Sequence, residues 1–224
     1  IGLCLVGSEM CIRDRVCSHH NIDTLAHADA SSTSLTKWVS GVGDVLAGSI
    51  RIRNDSPFAD ELRQALDREV PGGSRLYPRD GEALVRNAAD FCERVTECNH
   101  NGLRVANFLM EQPEVRKVWY PAFVDSEAYE ALRRPDGGYG GLISFTLKES
   151  DKTAALYEAM QFCKGPSLGT DYTLLCPYTL LAHYREMSWA HSCGVSAELL
   201  RISVGREPEE ELLERLERAF AGIR

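Results

Sequence analysis

The chain has 224 residues and a formal net charge of −8, and 44% of its residues are hydrophobic. This acidic balance argues against a nucleic-acid partner, because a phosphate backbone is bound by clustered lysine and arginine side chains. No apolar run in the sequence is long enough to cross a bilayer, so we expect no membrane partner.

The cysteines do not form a metal-binding or disulfide pattern. There are eight of them, scattered without zinc-like spacing, and the His19-His20 pair has no cysteine or carboxylate at a ligand distance along the chain. We therefore expect no metal site. Reduced thiols in the cytoplasm are the simpler interpretation of such scattered cysteines.

The first 15 residues differ in character from the rest of the chain. Residues 5–15 read LVGSEMCIRDR, which resembles a translated adapter from sequencing-library preparation. A signal peptide is the competing interpretation, but charged residues at 9, 13, 14 and 15 interrupt its apolar start. We expect residues 1–15 to be an artefactual segment and exclude them from the fold.

A lysine preceded by two hydroxyls is the first chemical motif, in Ser34-Leu35-Thr36-Lys37. Residues 28–30 lie just before it and are predicted to end a buried strand. The hydroxyls of Ser34 and Thr36 can donate hydrogen bonds to a phosphate, and the Lys37 amine can form an imine with an aldehyde. From the residue types alone, a solvated lysine in a loop rich in serine and threonine stays open as an alternative.

The middle of the chain is predicted to be helical. Residues 57–66 have helical spacing, and the glycine and proline cluster at 70–74 predicts a break. Apolar spacing over residues 81–110 predicts long helices that link two domains, with Gly102 as a weak point. The domain boundary is expected near Asp80.

The last part alternates predicted strands and helices, which indicates an α/β domain. The final helix has a proline near its first turn, glutamates that favour the helix dipole, and a glycine as its stop. The predicted strands cover residues 115–120, 141–147 and 199–204, and the predicted helices cover residues 154–162 and 208–222.

Arg201 is the second candidate for a functional residue, because it interrupts the apolar strand sequence LLRISV. A buried arginine needs a partner, and its guanidinium matches the carboxylate of an amino acid with two parallel hydrogen bonds. The alternation of side chains between the two faces of a strand favours, by itself, a different interpretation. In it, Arg201 and Ser203 lie on the solvated face of a half-exposed strand.

Four segments together resemble the trans-sulfuration (Cys/Met metabolism) enzymes that use pyridoxal 5'-phosphate (PLP), and are most similar to fungal-type cystathionine γ-synthases. Their order and spacing match that family, and the resemblance covers nearly everything after about Val16. The segments are HADASSTSLTKWVSGVGDVLAG at 27–48, KGPSLGT at 164–170, CPYTLLAHY at 176–184 and LLRISVG at 199–205.

The resemblance implies an α/β fold of PLP-dependent transferase fold type I, the aspartate aminotransferase-like fold. Residues 16–83 would be the remainder of the large PLP-binding domain, and residues 84–224 the small C-terminal α/β domain with its linking helices. It also implies a homo-oligomer, either a dimer or a tetramer.

The resemblance assigns roles to five residues. Lys37 would be the catalytic lysine that holds the cofactor, and Ser34 and Thr36 would bind the cofactor phosphate with it. Arg201 would bind the α-carboxylate of the substrate, assisted by Ser167. The implied reaction is replacement of the acyl group of an O-acylated homoserine by cysteine, which gives cystathionine.

Two alternatives stay open. Many bacterial members have an acidic residue where this chain has Pro166, so a cystathionine or methionine lyase of the same family is one of them. The other is a non-catalytic remnant. The cofactor-stacking tyrosine, the glycine-rich phosphate loop and the aspartate for the pyridine nitrogen all precede this segment in the family, and Asp14 is not assigned the last role. We therefore expect this fragment alone to be inactive.

Overall fold

The computed structural model describes residues 18–72 and 76–224. The prediction for residues 1–15 lies outside the described residues. In the described part of the chain, no helix combines the length and apolarity that a bilayer crossing requires.

Seven strands and eight α-helices are described, along with short 3₁₀ turns. The strands are β1 (Ala30–Ser34), β2 (Gly48–Ile52), β3 (Val115–Trp119), β4 (Leu142–Leu147), β5 (Cys163–Lys164), β6 (Leu174–Pro177) and β7 (Leu200–Ser203). The helices are α1 (Ala59–Glu69), α2 (Pro78–Asn87), α3 (Phe91–Glu111), α4 (Ser126–Glu130), α5 (Thr153–Ala159), α6 (Tyr178–Ala182), α7 (Met187–Ser192) and α8 (Glu209–Ala221).

The strands form two sheets. β1 and β2 pair as an antiparallel hairpin, and the other five form a mixed sheet in the order β3-β4-β7-β6-β5. Every neighbouring pair of the larger sheet is antiparallel except β5 and β6, which are parallel. The apolar strand β7 therefore lies at the centre of the sheet.

One face of the larger sheet is covered by helices. Residues Ile143 and Phe145 of β4 and Leu200 and Ile202 of β7 pack in the main hydrophobic core, which α3, α5 and α8 complete. Successive side chains of a strand point to opposite faces, so Leu142, Arg201 and Ser203 point to the other face. A second, smaller buried cluster forms on that face. It consists of Trp38, Val95, Cys98, Leu142 and Leu168.

The α/β architecture and most predicted elements are confirmed. The helix at 57–66, the strands at 115–120, 141–147 and 199–204, and the final helix all appear within a few residues of their predicted ends. The helix expected at 154–162 ends earlier, at Ala159. The strand expected to end at 28–30 is wrong, because β1 begins at Ala30 and is buried only at Thr33.

Gly102 is not a weak point of its helix. α3 continues without interruption from Phe91 to Glu111. A β-carbon at Gly102 would lie 2.4 Å from the carbonyl oxygen of Gly140, which itself accepts a hydrogen bond from the Tyr120 hydroxyl at 2.7 Å. The glycine therefore allows α3 and the segment just before β4 to approach closely.

Candidate active site

The Lys37 side chain lies on a short helical turn between the strands of the hairpin. This lysine turn (Leu35–Val39) is of the wide, π-helical kind, and Lys37 leaves helical geometry within it, with ψ of −126°. The backbone N–H groups of Leu35 and Thr36 both donate to the carbonyl of Ala47, at 2.9 and 3.2 Å. The two ends of the loop between β1 and β2 are thus tied together beside the lysine.

The Lys37 amine reaches a residue that is 130 positions away in the sequence. Its Nζ atom donates to the hydroxyl of Ser167 at 3.1 Å. Trp38 follows Lys37 in the sequence and Leu168 follows Ser167, and both side chains are buried in the smaller cluster. Packing of these two side chains therefore brings the lysine and the serine together.

The loop that carries Ser167 is fixed on the face of β7 that points away from the helices. The Ser203 hydroxyl accepts a hydrogen bond from the backbone N–H of Gly169 at 2.9 Å. Two residues earlier on the same strand, Arg201 Nη2 donates to the carbonyls of Pro166 and Ser167 at 2.7 and 3.2 Å. One strand face thus holds both ends of the loop.

Arg201 is buried, with 7% of its surface exposed, and Ser203 is 1% exposed. The prediction from alternation that both lie on a solvated face is wrong, because both faces of the central strand are covered. The Arg201 guanidinium carbon lies 5.1 Å from the ring centre of Tyr178, a cation–π distance. The two carbonyls and the aromatic ring therefore provide the buried guanidinium with polar and cation–π partners.

The two hydroxyls before the lysine have different surroundings. The Thr36 hydroxyl accepts from the N–H of Ala47 at 2.9 Å and lies 3.3 Å from its carbonyl, so it braces the loop. Ser34 is the last residue of β1 and is half-buried, and its hydroxyl makes no hydrogen bond to a described residue. The structure therefore brings Lys37, Ser167 and Arg201 together, and places Ser34 at the end of β1 and Thr36 in the lysine turn.

Two nearby residues were not singled out in the sequence. Tyr178 lies beside Arg201, and Arg94 of α3 donates to carbonyls of the lysine turn. Arg94 falls on the buried stripe of α3, between Phe91 and Val95. A charge on the apolar face of an amphipathic helix is the signal that identifies it.

The remaining polar side chains do not form a metal site. Within residues 18–72 and 76–224, no group of three or more histidine, cysteine or acidic side chains is arranged to hold a metal ion. Five of the cysteines in these ranges are free thiols. Burial raises the pKa of the Cys98 thiol to about 12, so that this thiol is protonated at neutral pH.

Comparison with known proteins gives matches along nearly the whole chain. A cystathionine gamma-synthase-like protein of Aspergillus thermomutatus is 40% identical over 204 residues, which cover 91% of this chain and 36% of the relative. The cystathionine gamma-synthase of Neurospora crassa is 40% identical over 201 residues, which cover 89% of this chain and 32% of the relative. The chain thus spans about a third of the length of these curated relatives.

Solved structures show the same architecture. The crystal structure of a cystathionine gamma-lyase from Lactobacillus plantarum, complexed with L-serine, superposes with a TM-score of 0.81 and 26% identity, and the match covers 93% of this chain and 54% of that one. The predicted fold, PLP-dependent transferase fold type I, is confirmed. The profile of the family described as Cys/Met metabolism PLP-dependent enzyme matches residues 8–221. The chain therefore belongs to the family of Cys/Met metabolism PLP-dependent enzymes.

Proposed function

We propose that the full-length protein that carries this chain is a cystathionine γ-synthase-like enzyme, which replaces the acyl group of an O-acylated homoserine by cysteine. The observation that carries the proposal is the 3.1 Å contact between Lys37 Nζ and Ser167 Oγ, with Arg201 bonded to the Ser167 carbonyl at 3.2 Å. A primary amine, a hydroxyl and a buried guanidinium thus meet at one place.

The donor set fits PLP and an amino acid. PLP, when bound, supplies an aldehyde carbon for amines and a ring that withdraws electrons from the substrate. Lys37 has the amine that such an aldehyde requires, and we assign the Ser34 hydroxyl as a donor to the phosphate. Thr36 can share its proton with the phosphate only in competition with the carbonyl of Ala47, 3.3 Å away. Lys37, Ser34 and Thr36 are the proposed cofactor-binding residues.

In the proposed reaction, Arg201 and Ser167 bind the α-carboxylate and hold the substrate against the lysine. Arg201 uses Nη2 for the two loop carbonyls, and we assign its Nη1 group to the carboxylate. Lys37 then acts as the base and acid that removes and returns protons at the substrate carbons. Its amine is 3.1 Å from the Ser167 hydroxyl, which we assign to the carboxylate, so the amine would lie beside the carbon that bears this group.

The domain division follows from the same proposal. We assign residues 16–83 to the remainder of the large PLP-binding domain, and residues 84–224 to the small domain with its linking helices. In the hairpin region, Leu46 is 82% exposed and Ile50 is 55% exposed. Exposed apolar side chains of this kind are commonly buried in an interface, so we propose that the rest of the protein or a second subunit covers them. A homo-oligomer in the cytoplasm is part of the proposal.

A lyase that cleaves cystathionine or methionine is the second candidate, and the likeness to the Lactobacillus plantarum lyase favours it. The two activities use the same lysine and arginine. They are separated by comparing the rate of cystathionine formation from cysteine and an O-acylated homoserine with the rate of 2-oxobutyrate release from cystathionine. A faster second rate would assign the lyase activity instead.

The lysine assignment is tested directly in the full-length protein. Borohydride reduction in the presence of PLP, followed by peptide mass analysis, should place the cofactor on the Lys37 peptide. Lys37→Ala should abolish that attachment, whereas Lys117→Ala, which removes an exposed amine on β3, should leave it unchanged. Attachment that survives Lys37→Ala would refute the assignment, and failure of the unsubstituted protein to bind PLP would support the non-catalytic remnant.

A further inference from the structure

Arg94 holds the backbone immediately after the proposed catalytic lysine. Its guanidinium is buried with 4% exposure for the residue, and Nη2 donates to the carbonyls of Trp38 at 3.3 Å and Val39 at 2.9 Å. The same nitrogen also donates to the carbonyl of Asn87 at 3.1 Å, and Nη1 forms an ion pair with Asp90 one helical turn earlier. One side chain thus joins α2, α3 and the lysine turn.

The other side of the guanidinium is packed against a glycine. Gly41 has a φ of +72°, and a β-carbon on it would lie 2.5 Å from Nε and 2.7 Å from Cζ of Arg94. Any side chain at this position would therefore displace the guanidinium. The Gly41 N–H donates to the carbonyl of Lys37 at 2.7 Å, so the glycine is bonded directly to the lysine turn.

Asp90 supplies the negative charge that faces Arg94. Burial opposes ionisation of this carboxyl, but the positive charge of Arg94 and the hydrogen bond from Arg206, at 2.6 Å, hold the pKa of Asp90 below its ordinary value. Asp90 is therefore ionised at neutral pH. The guanidinium is then held between an anion on one side and three carbonyls on the other.

We propose that Arg94 is a positioning residue, which fixes the carbonyls that follow Lys37 and thereby sets where the Lys37 amine meets the cofactor. The inference rests on the proposed function of Lys37. The lysine side chain is a flexible four-carbon stem, so its reach is defined only if its backbone is fixed. A displacement of about 1 Å at a reacting group can cost about a hundredfold in rate.

The matched control is Arg206, which lies on the far side of Asp90. It bonds to Asp90 and forms a bidentate pair with Glu97. Among the described residues, none of its hydrogen-bond partners belongs to the lysine turn. Loss of Arg206 should therefore disturb the same ion-pair network without disturbing the lysine.

The test uses Arg94→Gln, Arg94→Lys and Arg206→Gln in the full-length protein. We measure the apparent Kd for PLP, the visible circular dichroism of bound PLP at saturation, which reports cofactor orientation, and the melting temperature of each cofactor-free form. Arg94→Gln should raise the Kd about tenfold and weaken the visible band. Arg94→Lys should have a smaller effect, because it keeps the charge beside Asp90 but has no planar fork for the carbonyls.

Arg206→Gln should lower the melting temperature and leave both cofactor readouts unchanged. A normal Kd and visible band in Arg94→Gln would overturn the proposal, and so would an equal change in Arg206→Gln. If Arg94→Gln does not fold, the same readouts in Arg94→Lys decide. Failure of the unsubstituted protein to attach PLP to Lys37 overturns the proposed function and this inference together, whereas normal attachment with unaffected variants overturns this inference alone.

Discussion

Gly169 is expected to tolerate no side chain, because it lies where the Ser167 loop meets the lysine turn. Its φ is +76°, and an added β-carbon would lie 2.7 Å from the backbone nitrogen of Trp38. Trp38 is 1% exposed and cannot move outward without opening the smaller buried cluster. Gly169→Ala should therefore destabilise the fold and shift the residue that follows Lys37.

The loss of unfolding free energy expected for Gly169→Ala has two parts, which a control variant can separate. A non-glycine residue at a left-handed φ costs roughly 1–2 kcal/mol, and overpacking of a buried contact typically adds about 1–3 kcal/mol. Gly194 has a φ of +79°, and no described atom lies within 4 Å of the β-carbon it would gain. Gly194→Ala should show the backbone cost alone.

The assay is urea unfolding of the full-length protein and both variants, followed by tryptophan fluorescence. Gly169→Ala should lose about 1–3 kcal/mol more than Gly194→Ala. It should also attach less PLP to Lys37 per folded molecule, whereas Gly194→Ala should match the unsubstituted protein. Equal losses of stability, or full PLP attachment in Gly169→Ala, would refute the close contact between Gly169 and Trp38.

Three further predictions concern charges and thiols. Arg201→Ala should lower kcat/KM for the amino-acid substrate by roughly 30- to 900-fold, about 2–4 kcal/mol, with partial rescue by Arg201→Lys, and an unchanged value would remove Arg201 from the site. The hydrogen bond from Arg206 lowers the pKa of Glu97 from its ordinary value of 4.5, so its contribution to stability is complete above that pH and is lost as the pH falls through the lowered pKa. Glu97→Gln should therefore flatten the loss of stability between about pH 5 and pH 3, and an unchanged profile would count against the pair. A thiol reagent should modify Cys92, Cys163 and Cys193, which are the exposed thiols of the described residues, but not Cys98, and rapid native labelling of Cys98 would contradict its burial.

Periodicity located most elements of residues 84–224, because the longer ones have a clear apolar pattern. α8 has an apolar stripe and β4 a nearly continuous run of buried residues, and each is long enough to be recognised from the sequence alone. β5 and β6 were missed, since they have only two and four residues and lie in a stretch rich in glycine and proline. β6 pairs with β7 and β5 pairs with β6, and a local sequence pattern does not contain these long-range pairings.

The candidate site was predicted from motifs rather than from spacing. Nothing local to Ser167 indicates that its hydroxyl lies 3.1 Å from Lys37, because the contact depends on the burial of Trp38 and Leu168 in one cluster. The sequence also did not indicate that the two hydroxyls before the lysine have different surroundings. The sequence presents Ser34 and Thr36 as equivalent, but only the fold brings Ala47 to the second of them.

Buried arginines mark this site more sharply than the lysine motif does. Arg94 lies on the apolar stripe of a helix and Arg201 within an apolar strand, so each must find acceptors because an unpaired buried charge is costly. Both find backbone carbonyls, Arg94 in the lysine turn and Arg201 in the Ser167 loop. The two loops that meet at Lys37 are thus each fixed by a cation from a rigid element. Alternation predicted a solvated arginine in β7 because it treats each strand as half-exposed. In a central strand covered on both faces, a charge at an apolar position instead indicates a loop whose carbonyls require a donor.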